Sequence, residues 1–117
     1  MGEIDTIEKP WGWEKIWAHT DKYVGKILFI KAGHRLSRQY HKVKEETIYV
    51  SSGIVYLEIG AEDPEEKILK PGDRYHIPPG TVHRFGAASD GLPVILFEVS
   101  TPELDDVVRL EDDYKRA

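Results

Sequence analysis

The sequence has no cysteine and no asparagine, and it holds one glutamine, Gln39. Without cysteine there is no disulfide, no thiolate zinc site and no cysteine nucleophile. No apolar run approaches the roughly 20 residues that a membrane-spanning helix needs. The acidic, mixed opening MGEIDTIEKPWGWEK is unlike a secretion signal. These absences predict a cytoplasmic protein that has no membrane partner.

The length of 117 residues predicts a single domain over residues 1–117. A net charge of −5 argues against nucleic acid as a partner. Between Lys22 and Lys44, however, the chain holds seven basic residues and no acidic one. Such a stretch suits a small anion, although a solvated strand face would look the same.

Short apolar runs alternate with glycine and proline signals, which is typical of an all-β protein. We predict strands at Tyr23–Lys31, Thr47–Val50, Ile54–Ile59, Arg74–Ile77 and Val94–Val99. Their length and spacing favour a sandwich or barrel. Only the last stretch, ELDDVVRLEDDYKRA, is expected to carry a short C-terminal helical turn. Trp11, Trp13 and Trp17 are separated by even numbers of residues, so on an N-terminal strand all three are predicted to lie on one apolar face. That face is expected to form a core or dimer contact.

Strand parity predicts which side chains enter the core. On the core face we place five residues, Ile48, Val50, Val55, Leu57 and Ile59. Glu46 shares their parity and is expected to point inward, whereas Glu45 points outward. An inward carboxylate is costly unless a cation or a metal compensates its charge. The intervening Ser-Ser-Gly, ending at Gly53, predicts a tight hairpin.

Four side chains suggest a metal site. Gln39 and His41 lie two apart and project from one face of an extended segment, Glu46 points inward, and a second turn-rich segment, KPGDRYHIPPGTVHRF, delivers His83. An amide oxygen, two imidazoles and a carboxylate suit a divalent ion of intermediate hardness. Spacing alone leaves ordinary polar roles open for the same residues.

Two motifs in the chain resemble those of the cupin family. Gly33, Gln39-x-His41, Glu46 and Gly53 follow the intervals of the first motif, with Gln39 in place of its leading histidine. Gly72, Pro78-x-Gly80 and His83 follow the second, with Ala87 where an asparagine is usual. The resemblance implies the double-stranded β-helix, a jelly-roll-like barrel.

Within that family, RLSRQYHKVKEE, KPWG and IPPGTVHR resemble the mannose-6-phosphate isomerase domain of type II phosphomannose isomerases, here as a free-standing version. The resemblance implies one divalent ion (Zn, Mn, Fe, Co or Ni) held by Gln39, His41, Glu46 and His83. It also implies a homodimer that interconverts mannose 6-phosphate and fructose 6-phosphate through a cis-enediol.

Further residues are candidates for substrate contacts and proton transfer. Arg35, Arg84, Arg109 and Lys26 suit sugar or phosphate groups, although each would also serve in an ion pair. Lys26 and Glu98 are candidate bases, with a metal-bound hydroxide as a third. Burial within VILFEVS would raise the pKa of Glu98. Two other functions stay open: an iron-dependent dioxygenase and a non-catalytic module that binds a sugar or sugar phosphate.

Overall fold

The computed structural model describes residues 5–116, and these fold into two antiparallel sheets without any helix. The eleven strands are β1 (Asp5–Lys9), β2 (Gly12–His19), β3 (Val24–Ile30), β4 (Arg38–Tyr40), β5 (Glu46–Ser52), β6 (Val55–Ile59), β7 (Glu65–Leu69), β8 (Arg74–Ile77), β9 (His83–Ala87), β10 (Val94–Ser100) and β11 (Val108–Glu111). In this part of the chain no helix could therefore cross a membrane.

The strand order identifies the fold as a double-stranded β-helix. One sheet has the order β1-β2-β3-β10-β5-β8 and the other β11-β4-β9-β6-β7. Strands far apart in sequence are neighbours in both sheets, because the chain crosses repeatedly from one sheet to the other. The apolar core fills the space between the sheets.

The inward faces follow the predicted parity. Ile48, Val50, Val55 and Leu57 are each fully buried, and Ile59 packs against the core. Glu46 is 2% exposed, whereas Glu45 lies on the outer face. The period-two alternation of these strands was thus sufficient to predict the buried carboxylate.

The predicted C-terminal helical turn is wrong. The segment instead forms β11, which pairs antiparallel with β4 and places Arg109 opposite Gln39. Its β-branched Val107 and Val108 fit an extended backbone, and β4 offers an edge that would otherwise be unpaired.

The predicted hairpin at Ser-Ser-Gly is also wrong, because β5 and β6 belong to different sheets. Gly53 has the positive φ that was expected, 83°. The chain uses this turn to step from one sheet to the other. A Cβ at Gly53 would lie 2.4 Å from the carbonyl oxygen of Pro93, so the turn packs directly against the start of β10.

Gly53→Ala is therefore expected to destabilise the protein by more than about 1 kcal/mol, since it combines positive-φ strain with a backbone clash. Gly72→Ala is the matched control, because Gly72 also has a positive φ, 93°, but a Cβ there meets nothing within 4 Å. Denaturant unfolding of both variants measures the difference. Equal losses of stability would contradict the proposed close approach at Gly53.

The three tryptophans do not share one face as predicted. Trp11 lies in the turn before β2 and is buried in the core. Trp13 stacks on Phe29 on the outer face of the six-stranded sheet, with ring centroids 5.2 Å apart. Trp17 is 51% exposed and lies beside Ile27 and Phe97 on that same outer face, although the register between β2 and β3 shifts after Ile16. Trp11 is therefore the one that departs from the predicted face.

Candidate metal centre

His41, Glu46 and His83 converge at one buried point between the sheets. His41 directly follows β4, Glu46 opens β5 and His83 opens β9, so both sheets contribute. Their candidate ligand atoms all lie within 4.8 Å of one another. Glu46 Oε1 is 3.1 Å from His83 Nε2 and 3.7 Å from His41 Nε2. No other such cluster occurs among residues 5–116.

The hydrogen bonds of the two histidines aim their Nε2 atoms at this point. His41 Nδ1 donates to the carbonyl oxygen of Asp106, and His83 Nδ1 donates to that of Thr81 at 2.8 Å. With the proton on Nδ1, each Nε2 presents a lone pair. This orienting contact is the one that metal-binding histidines usually make.

Three buried acceptors therefore face one another without a donor. His41 Nε2, Glu46 Oε1 and His83 Nε2 have no hydrogen-bond partner among the described residues. Unsatisfied buried polar atoms are rare and cost about 1–3 kcal/mol each. A divalent cation would satisfy all three at once, so the donor set fits a metal ion.

Gln39 lies beside the cluster, as the sequence predicted. It pairs directly with His83 across β4 and β9, and cross-strand partners project from the same face. Its Oε1 accepts a hydrogen bond from Ser37 Oγ at 3.2 Å. Its role as the fourth ligand stays a prediction.

Asp106 supports the cluster from outside, and sequence reasoning missed it. Its carboxylate accepts the backbone N–H groups of Lys42, Val43 and Lys44 at 3.0, 2.7 and 2.8 Å. These backbone hydrogen bonds lower the pKa of Asp106 to about 2. One residue thus fixes both the turn between His41 and Glu46 and, through its carbonyl, the ring of His41.

We expect Asp106→Ala to weaken metal binding by about 10- to 100-fold, the effect usual for groups that orient ligands. Asp105→Ala is the matched control, because Asp105 is exposed and has no side-chain hydrogen bond to the described chain. Calorimetric titration of both variants with metal measures the difference in metal affinity. Equal affinities would contradict the supporting role.

The same variant carries a pH signature. Because the pKa of Asp106 is depressed to about 2, its carboxylate stabilises the fold fully above the unfolded pKa of about 3.9. That contribution is lost as pH falls from there through about 2. The stability gap between the wild type and Asp106→Ala should therefore narrow between pH 6 and pH 3 in denaturant unfolding. A stability difference that stays constant over this pH range would contradict the lowered pKa of Asp106.

Lys44 links the cluster to Glu98. Its Nζ lies 3.3 Å from Glu46 Oε2 and 3.3 Å from Glu98 Oε2, and all three side chains are buried. Burial and the neighbouring Glu46 raise the pKa of Glu98 to about 7. Burial opposes ionisation of Glu46 too, but its surroundings, the Lys44 ammonium among them, hold its pKa well below the usual range. Lys44 has the same strand parity as Glu46, and this parity could have predicted from the sequence that Lys44 also points inward.

Lys26 lies opposite Glu98 in the β3–β10 register, on the same inner face. Its Nζ is 3.4 Å from Glu14 Oε1, and both groups are buried. The two predicted proton-transfer residues are therefore neighbours between the sheets.

A cavity of about 110 Å³ connects these groups. Its walls include Gln39, His41, Glu46, Lys44, Glu98, Lys26, Glu14, Arg109, Lys9, Arg116, Trp11, Leu28, Leu36, Ser37, Phe85, Leu104 and Val107. All acidic members of this set are buried, whereas several cations lie half-exposed at the rim.

Arg35 and Arg84 do not line this cavity. Both are bound to Asp113, at 2.7 Å from Arg35 Nε and 3.1 Å from Arg84 Nη2. Arg84 also donates to the carbonyl oxygen of Leu36 at 2.8 Å. These contacts hold the C-terminal segment on the barrel, and a substrate role for either arginine stays a prediction.

Comparison with known proteins identifies relatives of the whole domain. A family model described as Cupin domain matches residues 26–100. Mannose-1-phosphate guanylyltransferase ManC of Salmonella typhimurium is 33% identical over 113 residues, which are 94% of this chain and 23% of that protein. The chain therefore spans about a quarter of this relative.

Two solved structures show the same fold. KdgF from Halomonas sp. is 24% identical with a TM-score of 0.74, over 86% of this chain and 88% of that one. The capsular polysaccharide assembling protein CapF from Staphylococcus aureus is 18% identical with a TM-score of 0.81, over 93% of this chain and 34% of that one.

Proposed function

The chain belongs to the cupin family, and we propose that it is a metal-dependent sugar-phosphate isomerase that interconverts mannose 6-phosphate and fructose 6-phosphate. The observation that carries the proposal is the convergence of His41 Nε2, Glu46 Oε1 and His83 Nε2 beside a cavity that Lys26 and Glu98 line. The choice of mannose 6-phosphate as the substrate rests on the motif resemblance to mannose-6-phosphate isomerase domains. A relative named mannose-1-phosphate guanylyltransferase is consistent with mannose phosphates.

Aldose–ketose isomerisation moves a proton between C1 and C2 through a cis-enediol, and negative charge develops on the two oxygens. A divalent ion in this site would act as the Lewis acid that stabilises that charge. Gln39, His41, Glu46 and His83 would hold it.

Glu98 is our candidate for the base. Its pKa of about 7 suits a group that must take and return a proton near neutral pH. Lys44 fixes its carboxylate at 3.3 Å and so restricts where it points. Lys26 is paired with Glu14, and we assign it hydrogen-bond donation to a sugar oxygen.

The apolar walls of the cavity complete the arrangement. Trp11, Leu28 and Phe85 are each at most 2% exposed and line the same space as the charged groups. An apolar wall limits water, which strengthens electrostatic interactions with a bound substrate.

The proposal is tested by turnover. Metal-stripped protein is reconstituted in turn with Zn²⁺, Mn²⁺, Fe²⁺, Co²⁺ and Ni²⁺, and conversion of mannose 6-phosphate to fructose 6-phosphate is followed. We expect turnover that requires metal and disappears in Gln39→Ala and His83→Ala. Absence of turnover with every ion, despite stoichiometric metal binding, would refute this substrate.

The homodimer expected from the sequence stays a prediction. Sedimentation velocity measures it directly, and a monomer at all concentrations would contradict it.

A further inference from the structure

The buried charged side chains of the cavity are paired with one another. Its acidic lining residues, Glu14, Glu46 and Glu98, are at most 8% exposed, and so are Lys26 and Lys44, which contact them. Lys9, Arg109 and Arg116 are half-buried and belong to the same lining. The buried carboxylates and ammonium groups therefore largely offset one another, and the cations at the rim favour an anion, because opposite charges attract more strongly beside low-dielectric walls.

The first rim cation is held by the N-terminal hairpin. Lys9 ends β1 and pairs with Gly12. A Cβ at Gly12 would lie 1.8 Å from the carbonyl oxygen of Phe29, so the turn rests directly on β3. The backbone N–H of Lys31 donates to the carbonyl oxygen of Trp11 at 2.9 Å. The hairpin thus fixes Lys9 at the cavity, where it has no side-chain partner within residues 5–116.

The other two rim cations come from the C-terminal segment. Arg109 lies on β11 directly opposite Gln39. Arg116 is oriented by Asp112, at 2.8 Å from its Nε and 3.2 Å from its Nη2. The strands β1 and β11 are each an edge of their sheet, and residues at both edges meet around one cavity.

We propose that Lys9, Arg109 and Arg116 form the subsite for the substrate's phosphate group. The substrate then lies with its reacting carbons at the metal cluster and its phosphate at the rim. This inference rests on the proposed function, and it assigns phosphate recognition to residues other than Arg35 and Arg84, which Asp113 holds outside the cavity. Ammonium and guanidinium donors are the usual partners of phosphate.

The subsite is tested by binding, which needs no turnover. Calorimetry on metal-loaded protein compares mannose 6-phosphate, mannose and inorganic phosphate in the wild type, Lys9→Met, Lys9→Arg and Lys70→Met. Lys70 is exposed and lies outside the cavity lining, so its variant controls for the loss of one positive charge. Metal content is measured in every sample.

We expect Lys9→Met to weaken mannose 6-phosphate binding by about 10- to 100-fold, the usual effect of losing one charge-assisted hydrogen bond. Lys9→Arg should restore much of the affinity, Lys70→Met should bind like the wild type, and metal content should not change. Inorganic phosphate should compete with mannose 6-phosphate. Equal affinity of Lys9→Met and Lys70→Met, or equal binding of mannose and mannose 6-phosphate, would overturn the subsite.

The outcomes separate this inference from the isomerase. Lys9-dependent binding without turnover by any metal form would keep the subsite and refute the isomerase. Turnover with an unchanged KM in Lys9→Met would keep the isomerase and refute the subsite.

Discussion

Glu46→Gln is expected to abolish both metal binding and turnover. Glu46 is the only carboxylate among the converging ligand atoms, and its Oε1 lies 3.1 Å from His83 Nε2. The amide is nearly isosteric, but it removes the negative charge that the ion would neutralise. Wild-type protein should gain about 2.7 kcal/mol of stability at a metal concentration 100 times the Kd, and the variant should gain none.

The measurement is thermal unfolding with and without each metal, together with metal content after dialysis. Glu45→Gln is the matched control, since Glu45 is the adjacent carboxylate, lies just before β5 and is exposed. Lys44 keeps Glu98 as a partner in Glu46→Gln, so the variant should still fold. A variant that binds metal within threefold of the wild type would contradict the ligand assignment.

Glu98→Gln is expected to lower kcat by about 10²- to 10⁴-fold while leaving metal binding intact, the effect usual for losing a general base. Glu98 is buried and is not among the converging ligand atoms, although Lys44 contacts both Glu98 and the ligand Glu46. The amide keeps the shape of the side chain but cannot accept the substrate proton.

Two further variants sharpen this result. Glu66→Gln, an exposed substitution in β7, controls for the loss of a negative charge. Lys26→Met removes the neighbouring candidate, and we expect it to raise KM more than it lowers kcat. Intact turnover in both Glu98→Gln and Lys26→Met would refute the assigned roles.

Local patterns predicted much of the fold and the central cluster. Period-two alternation placed Ile48, Val50 and Glu46 inward, and all three are buried. The resemblance to the two cupin motifs predicted that Gln39 and His41 would meet His83, which lies 42 residues after His41. Only the strand alternation depends on residues close in sequence.

The features that sequence reasoning missed depend on distant segments. The hydrogen bond from His41 to Asp106 joins residues 65 apart in the sequence, so no local sequence pattern predicts it. The strand β11 forms because β4 offers it an edge, which composition alone does not show. Likewise, Gly53 has the predicted φ, but only the whole topology decides that its turn changes sheets.

The most direct test of the metal centre is the metal content of equilibrium-dialysed protein, combined with X-ray absorption at the edge of the bound ion. We predict one divalent ion per chain with nitrogen and oxygen ligands, two of them imidazoles, and loss of that ion in His83→Ala. Failure to bind any of the five ions stoichiometrically, or equal binding by His83→Ala, would contradict the assignment of His41, Glu46 and His83 as a metal site.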